Sequence, residues 1–319
     1  MSHAPILALL GPTASGKTAL AVALAKALDG EIISVDSALV YRGLNIGAAK
    51  PSDDEKQGIA HHLIDIRDPA QHYSAADFSR DAQAAIDAIR ARGKLPILAG
   101  GTMLYFKALL QGMNAMPEAN LEIREQIEKE AQQLGWPAMH KQLAEVDAKT
   151  AAKLHPNHSQ RISRALEVWR SSGKSMSQWQ QGETQGLLKR EAVVQMAIAP
   201  RDRSVLHERI NLRLENMFAQ GLIAEVEALH RREDLNVELP SMRSVGYRQV
   251  WLYLDKLYDY ETMRHKALVA TRQLAKRQLT WLRSWPDLHW LDTMTKEGAL
   301  CTFDEIVRRS LSIYDKSTL

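Results

Sequence analysis

Pro5, Ile6, Leu7, Ala8, Leu9 and Leu10 form an unbroken run of apolar positions that ends in glycine. A run this short and this uniform predicts a strand of a parallel sheet, because polar alternation disappears when neither face meets water. Beyond a glycine-rich turn, residues 18–28 are rich in Ala and Leu and stop at Asp29 and Gly30, which predicts a helix with a glycine cap. Residues 31–35 read as a second strand, residues 81–92 as a helix stopped by Gly93, and residues 95–99 as another strand. This alternation predicts a doubly wound α/β sheet.

From about Pro117 the pattern changes to Glu, Gln, Lys and Ala with apolar residues at helical spacing, and strand character returns only at residues 192–198. The expected organisation is therefore an α/β core over 1–116 and 192–319, interrupted by a helical insertion at 117–191. Within the insertion, residues 159–172 predict a helix with Ile162, Ala165, Leu166 and Trp169 on one face and Gly173 as its cap. Arg161 and Arg164, three apart, point the same way. Residues 205–231, with Leu206, Ile210, Leu214 and Met217 at steps of three or four, predict one long helix. No internal repeat or low-complexity tract is present.

Composition changes this picture little. The 319 residues are 45% hydrophobic and 25% charged, as in an ordinary globular protein. The single cysteine, Cys301, excludes an internal disulfide and suits a reducing compartment. Met1 to Leu10 lacks the basic start of a signal peptide, and no apolar stretch approaches the roughly 20 residues that span a bilayer. A cytoplasmic protein is expected. The net charge of +3 does not by itself argue for nucleic acid.

The strongest local signal is Gly11, Pro12, Thr13, Ala14, Ser15, Gly16, Lys17 and Thr18, which fit G-x-x-x-x-G-K-[ST] between a predicted strand and a predicted helix. Backbone amides of such a loop turn toward phosphate oxygens, the helix N-terminus adds positive potential, Lys17 supplies a point charge and Thr18 a hydroxyl for Mg²⁺. The loop announces a phosphate ester without naming the reaction. Residues 95–99 end in Gly100, Gly101 and Thr102 instead of the metal-binding Asp usual in nucleoside triphosphatases, which disfavours an ATPase motor. Asp36 follows the second strand, where strand ends border the ligand crevice of an open sheet. It reads either as a general base or as the cap of a turn. His61 and His62 are adjacent and face opposite ways on a strand, so they do not make a metal site. Asp65 and Asp68 read either as Mg²⁺ partners or, in preference, as solvated or capping groups.

Between residues 243 and 283 nine Lys and Arg stand against three acidic residues, and Tyr247, Trp251, Tyr253, Tyr258, Tyr260 and Trp281 lie among them. Such a segment suits stacking on unpaired bases beside phosphate contacts, or a solvated helix with a core aromatic stripe. A small-molecule kinase and a non-catalytic RNA-binding P-loop protein both remain compatible with these motifs.

Six ordered blocks resemble the tRNA dimethylallyltransferase (tRNA isopentenylpyrophosphate transferase) family in its bacterial form. They are Gly11 to Thr18, Asp36 to Tyr41, Ala99 to Tyr105, Gln160 to Glu167, Arg243 to Arg248 and Lys276 to Arg283. The resemblance implies a nucleotide-kinase-like P-loop core with a parallel sheet and an inserted helical domain. It further implies Mg²⁺ dependence and transfer of a dimethylallyl group from its diphosphate to the adenosine immediately 3′ of the anticodon. It puts Gly11 to Thr18 around the diphosphate, Lys17 included, with Asp36 as general base and Thr102 in contact with the tRNA. Ser37, Ala38 and Leu39 would line the acceptor site. Arg124 and the segment Gln160, Arg161, Ile162, Ser163 and Arg164 would contact tRNA from the insertion. Arg243, Ser244, Val245, Gly246, Tyr247 and Arg248 would hold the anticodon stem-loop, as would Lys276, Arg277, Gln278, Leu279, Thr280, Trp281, Leu282 and Arg283. Arg209 and Arg213 are added as diphosphate ligands from their position as cations on the helix after residue 203. Longer eukaryotic relatives carry a C-terminal zinc finger, for which this chain has no cysteine pair. A monomer is expected.

Overall fold

The apolar run becomes β1 (Ile6–Leu10), every residue of which is fully buried. The computed structural model describes residues 4–114 and 116–318, so Met1 to His3 of the N-terminal stretch expected to carry no signal peptide lie outside the described residues. The chain continues through α1 (Lys17–Ala27), β2 (Gly30–Val35), α2 (Asp53–Lys56), β3 (His61–His62), α3 (Ala75–Ala91), β4 (Leu95–Gly100) and α4 (Met103–Leu110). Five helices follow: α5 (Leu121–Leu134), α6 (Trp136–Val146), α7 (Ala148–Ala151), α8 (Ser159–Ser172) and α9 (Met176–Trp179). After a 3₁₀ turn at Leu187–Lys189 come β5 (Val193–Ala199), α10 (Arg203–Ala219), α11 (Leu222–His230), α12 (Tyr247–Leu254), α13 (Tyr260–Arg283), β6 (His289–Asp292) and α14 (Phe303–Thr318).

The six strands form one parallel sheet in the order β3-β2-β4-β1-β5-β6. Alternation along β1 sends Leu7 and Leu9 to a layer made with α1 and α14, and Ile6, Ala8 and Leu10 to a layer made with α3, α4 and α10. Covering both faces with helices is what makes the strand uniformly apolar. With β4 and β5 on its two sides, the end of β1 lies where the strand order reverses, the usual ligand crevice of such sheets.

Two expectations need correction. The long helix over 205–231 is two helices, because Gly221 adopts φ +101°, a left-handed conformation that ends α10 and restarts the chain as α11. The helix expected at 81–92 starts six residues earlier, at Ala75, where Ser74 and Asp77 form a reciprocal capping box.

The chain divides into two compact units, residues 1–111 with 186–319, and residues 112–185. The return falls before the expected 191 because Leu187 is already fully buried in the core of the first unit. The second unit is helical and has its own core of Ile127, Met139, Leu143, Ile162 and Leu166 among others. Glu167, fully buried there, accepts from the Asn120 amide (2.7 Å) and pairs with Arg124 (3.0 Å) and Arg164 (3.2 Å). A buried carboxylate requires such partners.

Candidate active site

Gly11 to Gly16 leave β1 as a loop in which Ala14 (φ +62°) and Gly16 (φ +89°) are left-handed, the conformation that turns successive amides inward as an anion nest. Gln278 braces this loop from α13. Its Oε1 accepts from the Thr13 amide (2.9 Å) and its Nε2 donates to the Gly101 carbonyl at the end of β4 (2.9 Å). The Ser15 hydroxyl is buried without a partner among the described residues. Lys17 Nζ donates to the Pro12 carbonyl (3.1 Å). Burial, and secondarily the charge of Arg213, push the Lys17 ammonium down to about 8, against the opposing pull of Asp36.

Asp36 leaves the end of β2. Its Oδ1 accepts from the amides of Ala38 (2.8 Å) and Leu39 (3.3 Å), so the turn-capping reading of this residue is realised. Oδ2 has no protein partner among the described residues. Thr102, at the start of α4, accepts from the Ser37 amide (3.0 Å), while its own amide donates to Val35 (3.2 Å). The ends of β2 and β4 are thus stitched together beside the P-loop.

A cleft of about 540 Å³ brings Lys17, Thr18, Asp36, Thr102, Arg213 and Arg277 together, with Trp281, 38% exposed, at its wall. A second cavity of about 740 Å³ is lined by the P-loop residues 14–18, Arg209 and Arg213. The two share Lys17, Thr18, Ala49, Arg213 and Met217. Asp36 is the one carboxylate among the cleft's lining residues. Burial lowers the pKa of the Arg213 guanidinium, and Asp36 offsets part of that shift.

The other candidates divide between this cleft and the rest of the molecule. Arg243, Ser244, Val245 and Gly246 line the cleft, and Arg243 and Arg248 both pair with Glu238. Leu279 and Leu282 are core residues, Thr280 bonds back to the Lys276 carbonyl, and Lys276 and Arg283 border other hollows. In the helical unit, Ile162 and Ser163 are buried, whereas Gln160 and Arg161 are exposed in the first turn of α8. His62 binds Glu31 (2.6 Å), Asp65 pairs with Lys50, and Asp68 pairs with Arg232 (2.8 Å). Among the described residues no three His, Cys, Asp or Glu side chains form a metal cluster.

Tyr247 points inward. Its hydroxyl donates to Glu225 Oε1 (2.6 Å) and accepts from the Ala48 amide (3.1 Å). Glu225 in turn accepts from the amides of Asn45 (3.1 Å), Ile46 (2.7 Å) and Gly47 (3.1 Å). Gly47 is obligatory, since a Cβ there would sit 2.6 Å from the Tyr247 ring. This clamp fixes a loop that lines both cavities, and nothing in the local pattern around Glu225 reveals it. Glu225→Ala is expected to destabilise the protein by about 2–3 kcal/mol, whereas Tyr247→Phe costs only about 1 kcal/mol. Thermal unfolding checks this, and an alanine variant as stable as the parent removes the clamp.

A parallel sheet with a phosphate-binding loop after its central strand and a carboxylate at the end of the next defines a nucleotide-kinase-like P-loop protein. The IPP transferase family model matches residues 39–285, and the chain belongs to that family. It is similar over 99% of its length, at 35% identity and a TM-score of 0.71, to 98% of the tRNA isopentenylpyrophosphate transferase of Bacillus halodurans. The tRNA delta(2)-isopentenylpyrophosphate transferase of Staphylococcus epidermidis is 34% identical, with 98% of this chain and 99% of that one covered and a TM-score of 0.68. A eukaryotic dimethylallyltransferase acting on tRNA is 25% identical, with a TM-score of 0.76 over 91% of this chain and 74% of that one. No helix among the described residues is long and apolar enough to cross a membrane.

Proposed function

We propose that the protein transfers the dimethylallyl group of dimethylallyl diphosphate to the exocyclic N6 amine of the adenosine 3′-adjacent to the anticodon in tRNA, releasing diphosphate. The observation that carries this reading is the placement of Asp36, with one free oxygen, in the same cleft as Lys17, Thr18 and Arg213. As the allylic C–O bond breaks, its electron pair leaves with the diphosphate, and the P-loop amides, Lys17 and the two arginines Arg209 and Arg213 stabilise the growing charge. The N6 lone pair forms the new N–C bond, and the amine proton passes to Asp36 Oδ2. Thr102 and residues 37–39 border the adenine, which must leave the base stack to reach the cleft. Arg277 and Trp281 supply a phosphate contact and a stacking surface at its wall.

The residues fit Mg²⁺ as a partner of the donor. Mg²⁺ takes few protein ligands and fills its shell from phosphate oxygens and water, so the Thr18 hydroxyl beside the P-loop suffices and no acidic cage is needed. When bound, the ion neutralises charge on the diphosphate. The expected monomer stays part of this proposal, and the lone half-buried cysteine suits the cytoplasm. Incubating unmodified tRNA with dimethylallyl diphosphate and Mg²⁺, then digesting it for nucleoside mass analysis, tests the reading. A dimethylallylated adenosine is expected. Absence of that product, with γ-phosphate from labelled ATP appearing on an acceptor instead, would replace the transferase by a kinase.

A further inference from the structure

After β6 the chain turns back on itself. Met294 and Leu300 form an antiparallel bridge, and the Cys301 amide donates to the Thr293 carbonyl (2.9 Å). Thr293 and Cys301 are therefore directly opposed, with their side chains on one face of the turn. Both line the cavity of about 740 Å³, together with the P-loop residues 14–18, Arg209 and Arg213. The turn reaches the loop because β5 and β6 end on the same edge of the sheet as β1. A Cβ on Gly11 would sit 2.8 Å from the Ile198 carbonyl oxygen, and the Thr293 amide donates to the Ala199 carbonyl (3.4 Å).

Two hydroxyls in this cavity have nothing to bond. Thr293, 2% exposed, and Ser15, 1% exposed, lack a partner for their side-chain oxygen among the described residues. Such a group stays unsatisfied until a polar atom of an occupant reaches it. Ser15 belongs to the phosphate loop, whereas Thr293 stands next to the one thiol of the chain. Cys301 is half-buried, and Arg309 Nη1 lies 3.7 Å from its Sγ. A cation so placed stabilises the negative charge that sulfur carries as it attacks a disulfide. The cavity also collects anions: Lys17, Lys50, Arg209 and Arg213 line it, against Glu55 as the one carboxylate among its lining residues. Its volume suits a whole small molecule.

We propose that Cys301 is a thiolation site for anionic low-molecular-weight disulfides, and that the adduct closes the cavity to the donor. The inference rests on the reading of the P-loop cavity as the seat of the allylic diphosphate. In the exchange, the Cys301 thiolate attacks one sulfur of the disulfide. A new S–S bond forms, the old one breaks, and the departing thiolate carries away its electron pair. The thiol proton goes to solvent. Carboxylates on the adduct then compete with the diphosphate for Arg209 and Arg213. A free thiol reverses the step, so the device is a reversible cap on donor capture. Cys301 takes no part in the transfer, and the reduced enzyme keeps its full rate.

The test treats the protein and its Cys301→Ser variant with glutathione disulfide. Intact mass is expected to show one glutathione on the parent and none on the variant. The thiolated parent should bind dimethylallyl diphosphate and inorganic diphosphate about tenfold or more weakly, through loss of charge-assisted contacts. Its tRNA affinity and thermal midpoint should stay at the parent values, and dithiothreitol should restore donor binding. Saturating inorganic diphosphate with Mg²⁺ should protect Cys301 from labelling. At low salt, with each rate taken relative to free cysteine, neutral 2-hydroxyethyl disulfide should react about tenfold more slowly than glutathione disulfide. The proposal is overturned by a parent that takes up no glutathione, by an adduct that leaves donor affinity unchanged, or by one that weakens tRNA binding and thermal stability alike. Labelling indifferent to diphosphate, or equally fast with the neutral reagent, also overturns it. Should the unmodified protein transfer no dimethylallyl group to tRNA, the functional reading fails instead, and inorganic diphosphate still decides the thiolation site: equal affinities with and without the adduct, or none at all, reject it.

Discussion

Asp36→Asn is expected to slow single-turnover transfer by roughly 10²-fold or more while the affinities for tRNA and donor stay close to the parent, the pattern of a lost general base. The structure makes this substitution unusually clean. Asn retains an Oδ1 that can accept from the Ala38 and Leu39 amides, so the turn after β2 keeps its shape. What it lacks is the anionic oxygen that, in the proposed mechanism, takes the amine proton. Rapid-quench measurement at saturating donor separates the outcomes. Turnover within about threefold of the parent would assign the proton to water or to the departing diphosphate. Collapse of tRNA binding with chemistry preserved at saturation would make Asp36 a positioning residue for the adenine.

Lys17→Ala should lower kcat/KM for dimethylallyl diphosphate by about 10²-fold or more, the scale of losing one preorganised charge at a leaving group, and leave tRNA affinity within about twofold. Lys17 also sets a pH dependence. Its ammonium is held down to about 8, chiefly by burial and then by Arg213, and in the proposed mechanism the charged form grips the diphosphate. The charged form predominates below that value and is lost as pH rises through it, so kcat/KM for the donor should fall between about pH 7 and 9 because this parameter reports the free enzyme. A flat profile over that range would show that Lys17 stays charged in the free protein or takes no part in donor capture.

The parts of this molecule written in contiguous residues were legible before the structure. The β1 run, the P-loop and the α/β alternation are local patterns, and Asp36 and Thr102 could be placed at strand ends because parallel strands point one way. Interactions between distant residues were not. Gln278 meets Thr13 across 265 positions, and Glu225 meets residues 45–47 across about 180, so neither brace leaves a periodic trace. Tyr247 sits within a block that read as an RNA contact, yet its ring turns toward Glu225, because a sequence motif does not say which face a residue occupies. Strands β3 and β6, two and four residues long and carrying histidines, are too short and polar to show a pattern. Glu167 lies on the amphipathic helix α8, and only the arrival of Arg124 and Arg164 permits its burial.

The strand order also bears on how the chain is made. Strands β2, β4 and β1 can pair as soon as residue 100 is available, but β5, on the other side of β1, is synthesised some ninety residues later, after the whole helical insertion. At roughly 5–20 residues per second that interval lasts several seconds to about twenty, during which β1 stands as an open, apolar edge. The phosphate loop waits longer still, because its brace Gln278 lies near the end of α13. A nascent chain halted anywhere before α13 would hold every residue of the loop and yet lack the side chain that ties Thr13 to Gly101. Bracing of the proposed donor pocket is thereby tied to late synthesis, since a partly made core lacks the side chain that joins the ends of its loop and of β4.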